Sequence, residues 1–297
     1  SLMGHKVVVF EEREHLGGML RYGIPNYRLP KNRLDEDINA ILSTGNIEVR
    51  YNTAIGKDIT MEQLLEEYQA VYIAIGAQAG KTVKVEGANS NGVYSAVDML
   101  GEIGRGNLPD YTGKRVVVVG GGNVAMDAAR TAVRVGFDEV YIIYRRTEKE
   151  LPARLEEIRH AKEEGIIFKF LYAPKEILGE NGYVKGVELE IMELGEPDES
   201  GRRRPISTGK TEIMDLDTVI VALGTGPNPI IQRSAQAEGM DIVTDKKGYI
   251  VVDGETRCTN IPTVYAGGDV APVGASNAIN AMGAGKKAAK AINELLK

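Results

Sequence analysis

Residues 116–133 read VVVVGGGNVAMDAARTAV, and the interpretation of this stretch decides the fold. Four consecutive valines lack the alternation of a half-buried strand and the length of a helix, so the run reads as a strand buried on both faces. It feeds into Gly120, Gly122 and Ala125 at the spacing G-x-G-x-x-A, and a helix over residues 124–135 follows at once. Strand, glycine turn and helix in that order form the context in which this pattern binds a dinucleotide. Gly120 permits the tight turn, Gly122 lets backbone approach a pyrophosphate, and Ala125 lets helix and strand pack closely. The exposed N–H groups and helix dipole at Asn123 and Val124 then offer an anion site.

The next strand, residues 139–144, runs into Arg145 and Arg146. An NAD site places an acid there for the ribose hydroxyls. Two arginines instead suit a 2′-phosphate, which they pair through forked, charge-assisted hydrogen bonds. The expected nucleotide is therefore NADPH.

Outward from this unit the pattern alternates strand and helix, as parallel sheets require. On the N-terminal side, strands are expected at residues 6–10, 48–51 and 70–75, with helices at 31–44 and 61–67. A loose Gly-, Asn- and Pro-bearing stretch over 104–113 suggests a boundary. On the C-terminal side a helix is expected over 153–164. Two apolar-rich segments then flank the polar tip GEPDESGRRRP as an antiparallel hairpin insertion, whose Arg202, Arg203 and Arg204 read as a solvated loop. A short strand at 249–252 and a final Ala- and Lys-rich helix complete the chain. The organisation expected is α/β, with two Rossmann-like dinucleotide-binding domains: residues 1–111 and 229–297 form one, and residues 112–228 are inserted into it.

Hydrophobic residues at 43% and charged residues at 26% describe an ordinary globular protein without disordered bias. A formal net charge of −6 argues against nucleic acid and membrane surfaces as partners. The single cysteine, Cys258, excludes a CxxC pair and a multi-thiolate cluster within these residues and suits a reducing, cytoplasmic setting. With three scattered histidines, no metal site is expected. Disulfide-reductase chemistry is disfavoured on the same count.

A second dinucleotide is suggested by TNIPTVYAGGDV, where an apolar strand reaches Gly268 and Asp269 at a helix start, and by the small residues beginning at Ala275 and Ser276. The paired units resemble flavoprotein reductases that bind FAD in one domain and NAD(P)H in the other. GGMLRYGIPNYRLPK, VVVVGGGNVAMDAARTA, YRRTEKELPAR and MELGEPDESGRRRP are similar to the NADPH-dependent glutamate synthase small (beta) subunit family. This resemblance implies that Glu11 binds the FAD ribose, that Gly17, Gly18, Met19 and Leu20 pass the flavin, and that Asp269 holds the ribityl chain or a phosphate. Ala275 and Ser276 would lie at the isoalloxazine, and Gly76 and Gly224 would mark crossovers between domains. It further implies an electron-input enzyme that needs no side-chain acid, base or nucleophile. Its electrons would leave through iron-sulfur clusters held outside this chain, to a glutamate synthase large subunit or another electron-accepting subunit. An NAD(P)H:ferredoxin or pyrimidine-reducing module and an inactive nucleotide-binding fragment are the alternatives, and a homo-oligomer is allowed.

Two features depart from that family. KVVVFEE, ending at Glu11, reads as the second strand of a dinucleotide unit, but only ten residues precede the acid, where a glycine loop belongs about twenty residues earlier. The family's cysteine-rich iron-sulfur region also has no counterpart. The expectation is a fragment that starts near the end of the first FAD-domain helix, with an incomplete FAD site and exposed sheet edges.

Overall fold

The computed structural model describes every residue except 108–110, 112–113, 200, 202 and 275, so Arg202 and Ala275 lie outside the described residues. The chain forms two compact units. One comprises Ser1–Arg21, Pro30–Ala79 and Thr225–Lys297; the other comprises Tyr22–Leu29 and Gly80–Gly224. Along the chain the second unit interrupts the first, between Ala79 and Gly80 and between Gly224 and Thr225. The short strand Val93–Ser95 belongs to this inserted unit because it pairs in parallel with Thr218–Val221 of its sheet.

The inserted unit is built on a five-stranded parallel sheet. Its strand order is Val93–Ser95, Thr218–Val221, Arg115–Val119, Glu139–Tyr144 and Ile167–Phe170. The valine strand is central, and its side chains alternate between two cores. Val116 and Val118 pack with Ala125, Met126 and Ala129 of the helix Asn123–Arg134 and with Ile158 of the helix Leu155–Glu163. Val117 and Val119 pack with Ile177, Val187 and Leu189. Those last three belong to an antiparallel sheet in which Tyr183–Pro197 lies between Tyr172–Glu180 and Arg203–Asp215. The hairpin insertion therefore covers the second face of the central strands, which explains why the valine run needs no polar alternation.

In the other unit, Val7–Phe10 pairs in parallel with Ile47–Arg50, and Val264–Ala266 pairs in parallel with Val71–Ile73. Among the described residues no ladder joins these two pairs. Met61, Leu64, Ile73, Ile231, Val264 and Val270 form its core. The helix Met61–Glu67 opens with a capping box, in which the Gln63 N–H donates to Thr60 Oγ1 at 3.2 Å and the Thr60 N–H donates to Gln63 Oε1 at 2.9 Å. The final helix, Ala278–Leu295, is capped by Asn277, whose Oδ1 accepts from the Asn280 N–H at 2.8 Å. The strand expected at 249–252 is absent: Ile250 makes only an isolated bridge to Thr244.

Candidate functional site

The glycine loop of the inserted unit has a separate reason for each glycine. Gly120 sits at φ +146°, and a Cβ there would lie 2.4 Å from the Ala222 carbonyl oxygen, so the turn requires glycine. Gly121 is roofed by Leu151 and Tyr144, each of which would come within 2.7 Å of an added Cβ. Gly122 faces open space and precedes the helix Asn123–Arg134, which has no side-chain cap at its N-terminus. The dipole and the first-turn N–H groups of Asn123 and Val124 suit an anion at this end of the helix. These residues fit the pyrophosphate of a dinucleotide.

The loop after the second strand folds onto this turn. The Ala153 N–H donates to the Gly121 carbonyl at 3.1 Å, and the Arg154 N–H donates to Asn123 Oδ1 at 3.0 Å. Asn123 thus staples two loops as well as opening the helix, a role its position in the motif does not announce. Tyr144 Oη donates to the Glu150 carbonyl at 2.8 Å, and Thr147 caps the short turn Glu148–Glu150. Hydrogen bonds from Thr147, with a smaller influence of the Arg203 charge, hold the Glu150 carboxyl below its ordinary range.

Arg145 and Arg146 differ in their surroundings. Arg145 is exposed and makes no ion pair among the described residues. Arg146 is only 7% exposed, and its Nε donates to the Arg203 carbonyl at 2.8 Å. By sequence they are an equivalent pair; burial separates them because one faces solvent and the other is buried with its Nε on the hairpin backbone.

Behind the loop lies an ion network that no motif signalled. Asp127, 3% exposed, pairs with Arg28 at 2.6 Å; Arg28 and Arg130 both reach Glu157, at 3.0 and 2.8 Å. Arg130 and Arg134 both reach Glu164, at 2.9 and 2.6 Å, and both lie over the Tyr27 ring. The network fastens the Tyr22–Leu29 segment to the glycine-loop helix. Burial raises the Asp127 carboxyl above its ordinary range, while Arg28 opposes that shift. Burial also pushes the Tyr27 phenol up to about 12.

In the other unit Glu11 follows its strand as expected, but its Oε1 accepts from the Arg13 N–H at 3.0 Å, and burial raises its pKa. Gly17 and Gly18 have φ of +123° and +47°, and Met19 and Leu20 lie in the short helix Gly18–Tyr22. Gly76, at φ +70°, precedes the 79/80 crossing by three residues, and Gly224, at φ +92°, is the last residue before the return crossing. Gly268 and Asp269 lie in the turn Gly268–Val270 and line a cleft of about 340 Å³ with Arg257, Ser276, Asn280 and Lys287. Gly267 is fixed by close approach, since an added Cβ would lie 2.2 Å from Tyr72 Oη. Arg257, 2% exposed, donates to the Ala271 carbonyl and leaves its Nε without a partner. A buried cation and an acid beside a cleft fit the phosphate and hydroxyl groups of a second dinucleotide. No cluster among the described residues could hold a metal ion, and none of their helices is long and apolar enough to cross a membrane. Cys258 is the one cysteine, and burial pushes its thiol pKa up, the opposite of an activated thiolate.

The chain is 42% identical over 299 residues to the NADP(+)-dependent formate dehydrogenase subunit beta of Moorella thermoacetica, a match covering 99% of this chain and 41% of that protein. It is 37% identical to the NADPH-Fe(3+) oxidoreductase subunit beta of Geobacter sulfurreducens, covering 100% and 47% respectively. To the glutamate synthase [NADPH] small chain of Escherichia coli it is 35% identical, covering 97% and 63%, which bears out the resemblance carried by the motifs. The chain thus spans less than two thirds of the length of each of these curated relatives. In fold it matches Mycobacterium tuberculosis FprA in complex with NADPH at TM-score 0.82 and 21% identity, covering 97% of this chain and 77% of that one. It also matches T. acidophilum thioredoxin reductase at TM-score 0.73 and 22% identity, covering 99% and 91%. Both likenesses bear out the expected α/β fold of two Rossmann-like domains. With a family match that runs from residue 2 to residue 285, the chain belongs to the pyridine nucleotide-disulphide oxidoreductases.

Proposed function

We infer that the chain is the nucleotide-oxidising part of an electron-input flavoprotein, with NADPH at the inserted unit and FAD at the other. When bound, NADPH supplies a hydride and FAD accepts it and releases electrons singly. The protein's own contribution is positioning. Gly120 and Gly122 shape the cradle, the helix at Asn123 and Val124 offers N–H donors to the pyrophosphate, and Arg145 meets the 2′-phosphate. On the flavin side Asp269 offers acceptors to the ribityl hydroxyls beside the buried Arg257, and Glu11, at the end of its strand, suits a ribose. The residues expected along the flavin, from Gly17 to Leu20 and at Ser276, belong to this reading, as do the domain roles of residues 1–111, 112–228 and 229–297 with the first boundary moved to 79/80.

The observation that carries the nucleotide assignment is the free, exposed Arg145 at the end of Glu139–Tyr144, where the ribose is read. Arg145→Ala is expected to weaken NADP+ binding by about ten- to a hundredfold, the value of one or two charge-assisted hydrogen bonds, and to leave NAD+ binding within twofold. Titration calorimetry with both nucleotides checks this, and an unchanged ratio overturns the phosphate assignment. Flavin retention after gel filtration, followed by anaerobic bleaching with NADPH, tests the second half. A chain that binds NADP+ but never reduces a flavin is a nucleotide-binding module only.

The electron acceptor is a partner subunit reached through iron-sulfur clusters outside this chain, in a cytoplasmic complex. A glutamate synthase large subunit is one candidate. The greater identity to a formate dehydrogenase subunit, 42% against 35%, favours a different oxidoreductase as partner. Co-purification of the natural complex and identification of its large subunit decides between them.

A further inference from the structure

Arg257 is held by its backbone and by its head group at once. Its N–H donates to the Asp253 carbonyl at 3.0 Å, and Asp253 Oδ1 accepts from the N–H groups of Glu255 and Thr256 at 3.0 and 2.7 Å. This turn keeps Arg257 at φ +66°, an uncommon conformation for a long side chain and one that clusters at ligand sites. The Arg257 carbonyl accepts from the Ala266 N–H at 3.0 Å, and its Nη2 donates to the Ala271 carbonyl. One residue thus brackets both ends of the segment 266–271, which carries Gly268 and Asp269.

A bracket does not by itself require a charge, and the charge here is unbalanced. Arg257 is 2% exposed, its Nε has no partner, and it forms no ion pair among the described residues. Burying a cation without a counter-charge is unfavourable. The other charged residues that line the same cleft are Asp269 and Lys287. Lys287 is exposed and engaged, with its Nζ donating to the Gly254 carbonyl at 3.0 Å and to Glu255 at 3.3 Å, so solvent and salt screen it. Asp269 repels an anion. Arg257 is therefore the unscreened positive charge of the cleft, and an anionic ligand supplies the counter-charge that it lacks.

We propose that Arg257 is a specificity-determining residue of this cleft: a buried counter-charge that favours a flavin carrying phosphate over the uncharged flavin with the same ring and ribityl chain. This rests on the flavin reading above. The charge acts through its field, because the Nε is buried beneath the cleft wall and needs no direct bond to the ligand. The same charge lowers the stability of the empty chain, as site residues held for a ligand do.

Affinities of the full chain for FAD, FMN and riboflavin, measured by fluorescence titration, test this together with the melting temperature of the flavin-free chain. Arg257→Met is expected to weaken FAD and FMN about tenfold or more and to leave riboflavin within twofold. The flavin-free Arg257→Met chain is expected to melt at or above the parent temperature, because removing an uncompensated buried charge outweighs leaving one carbonyl without its donor. Arg257→Lys keeps the charge and should keep the preference for FAD over riboflavin. A residue that only brackets the turn gives a different pattern: equal losses for FAD and riboflavin, and a lower melting temperature in both variants. Either of those results overturns the proposal. If the parent chain binds none of the three flavins, the flavin reading falls and takes this inference with it; flavin binding without preference for the phosphorylated forms removes the inference alone.

Discussion

Gly120→Ala is expected to lower stability by about 3 kcal/mol or more, whereas Gly122→Ala is expected to leave stability within about 0.5 kcal/mol and yet weaken nucleotide binding. At Gly120 the backbone holds φ +146°, and an added Cβ would stand 2.4 Å from the carbonyl oxygen of Ala222. That carbonyl cannot withdraw cheaply, because the Ala222 N–H donates to the Val119 carbonyl at 2.9 Å at the end of a fully buried strand. Gly122 has φ −89°, which alanine adopts freely, and no atom within 4 Å of its missing Cβ. A methyl group there meets solvent in the folded chain and a phosphate when the nucleotide binds. For a unit of this size the Gly120 loss corresponds to a fall in melting temperature of roughly 6–12 °C. Thermal unfolding and NADP+ titration on both variants separate a glycine required by the turn from one required by the ligand. Equal melting temperatures for the two would show that the close approach to Ala222 does not constrain the loop.

The contrast shows what the sequence made legible. The glycine loop and the strand feeding it could be read because their determinants are local: a valine run, a spacing and a helix start within eighteen residues. Arg145 was readable for the same reason, as its position is fixed by the end of a strand. The departures all involve partners far along the chain. Val93–Ser95 is only three residues long, and its partner is Thr218–Val221, so nothing nearby marked it as part of the inserted sheet. Val187 and Leu189 alternate with charged and small residues like any surface hairpin, yet they are fully buried against Val117 and Val119. Arg146 looks identical to Arg145 until a carbonyl 57 residues later claims its Nε. The buried Arg257 carries no motif at all, and its left-handed φ of +66° and unpartnered Nε are products of the tertiary fold.

The ion network around Tyr27 was also illegible, because its acids and bases look like ordinary helix surface charges. Arg130→Met is expected to destabilise the protein by about 3 kcal/mol at neutral pH, since Arg130 is 7% exposed and its removal strips a charge partner from both Glu157 and Glu164. The more exposed Arg134, replaced by Met, should cost no more than about 1 kcal/mol. Acid titration should rank the two otherwise. The Glu164 carboxyl is held down from 4.5 to about 2, first by the hydrogen bonds from Arg134 and then by those from Arg130. A carboxyl depressed in the folded state contributes its stability above its unfolded value and loses it as pH falls through the folded value, so this contribution disappears between about 4.5 and about 2. In Arg134→Met the Glu164 carboxyl returns toward its unfolded value, so the pH window between the two values narrows from its acid side and the acid-dependent loss becomes smaller. In Arg130→Met the loss at neutral pH dominates, and the acid limb shifts less because Arg134 remains. Urea midpoints measured from pH 2 to pH 7 for the parent and both variants give the comparison. If all three acid limbs run parallel, Glu164 is not the group through which these arginines act.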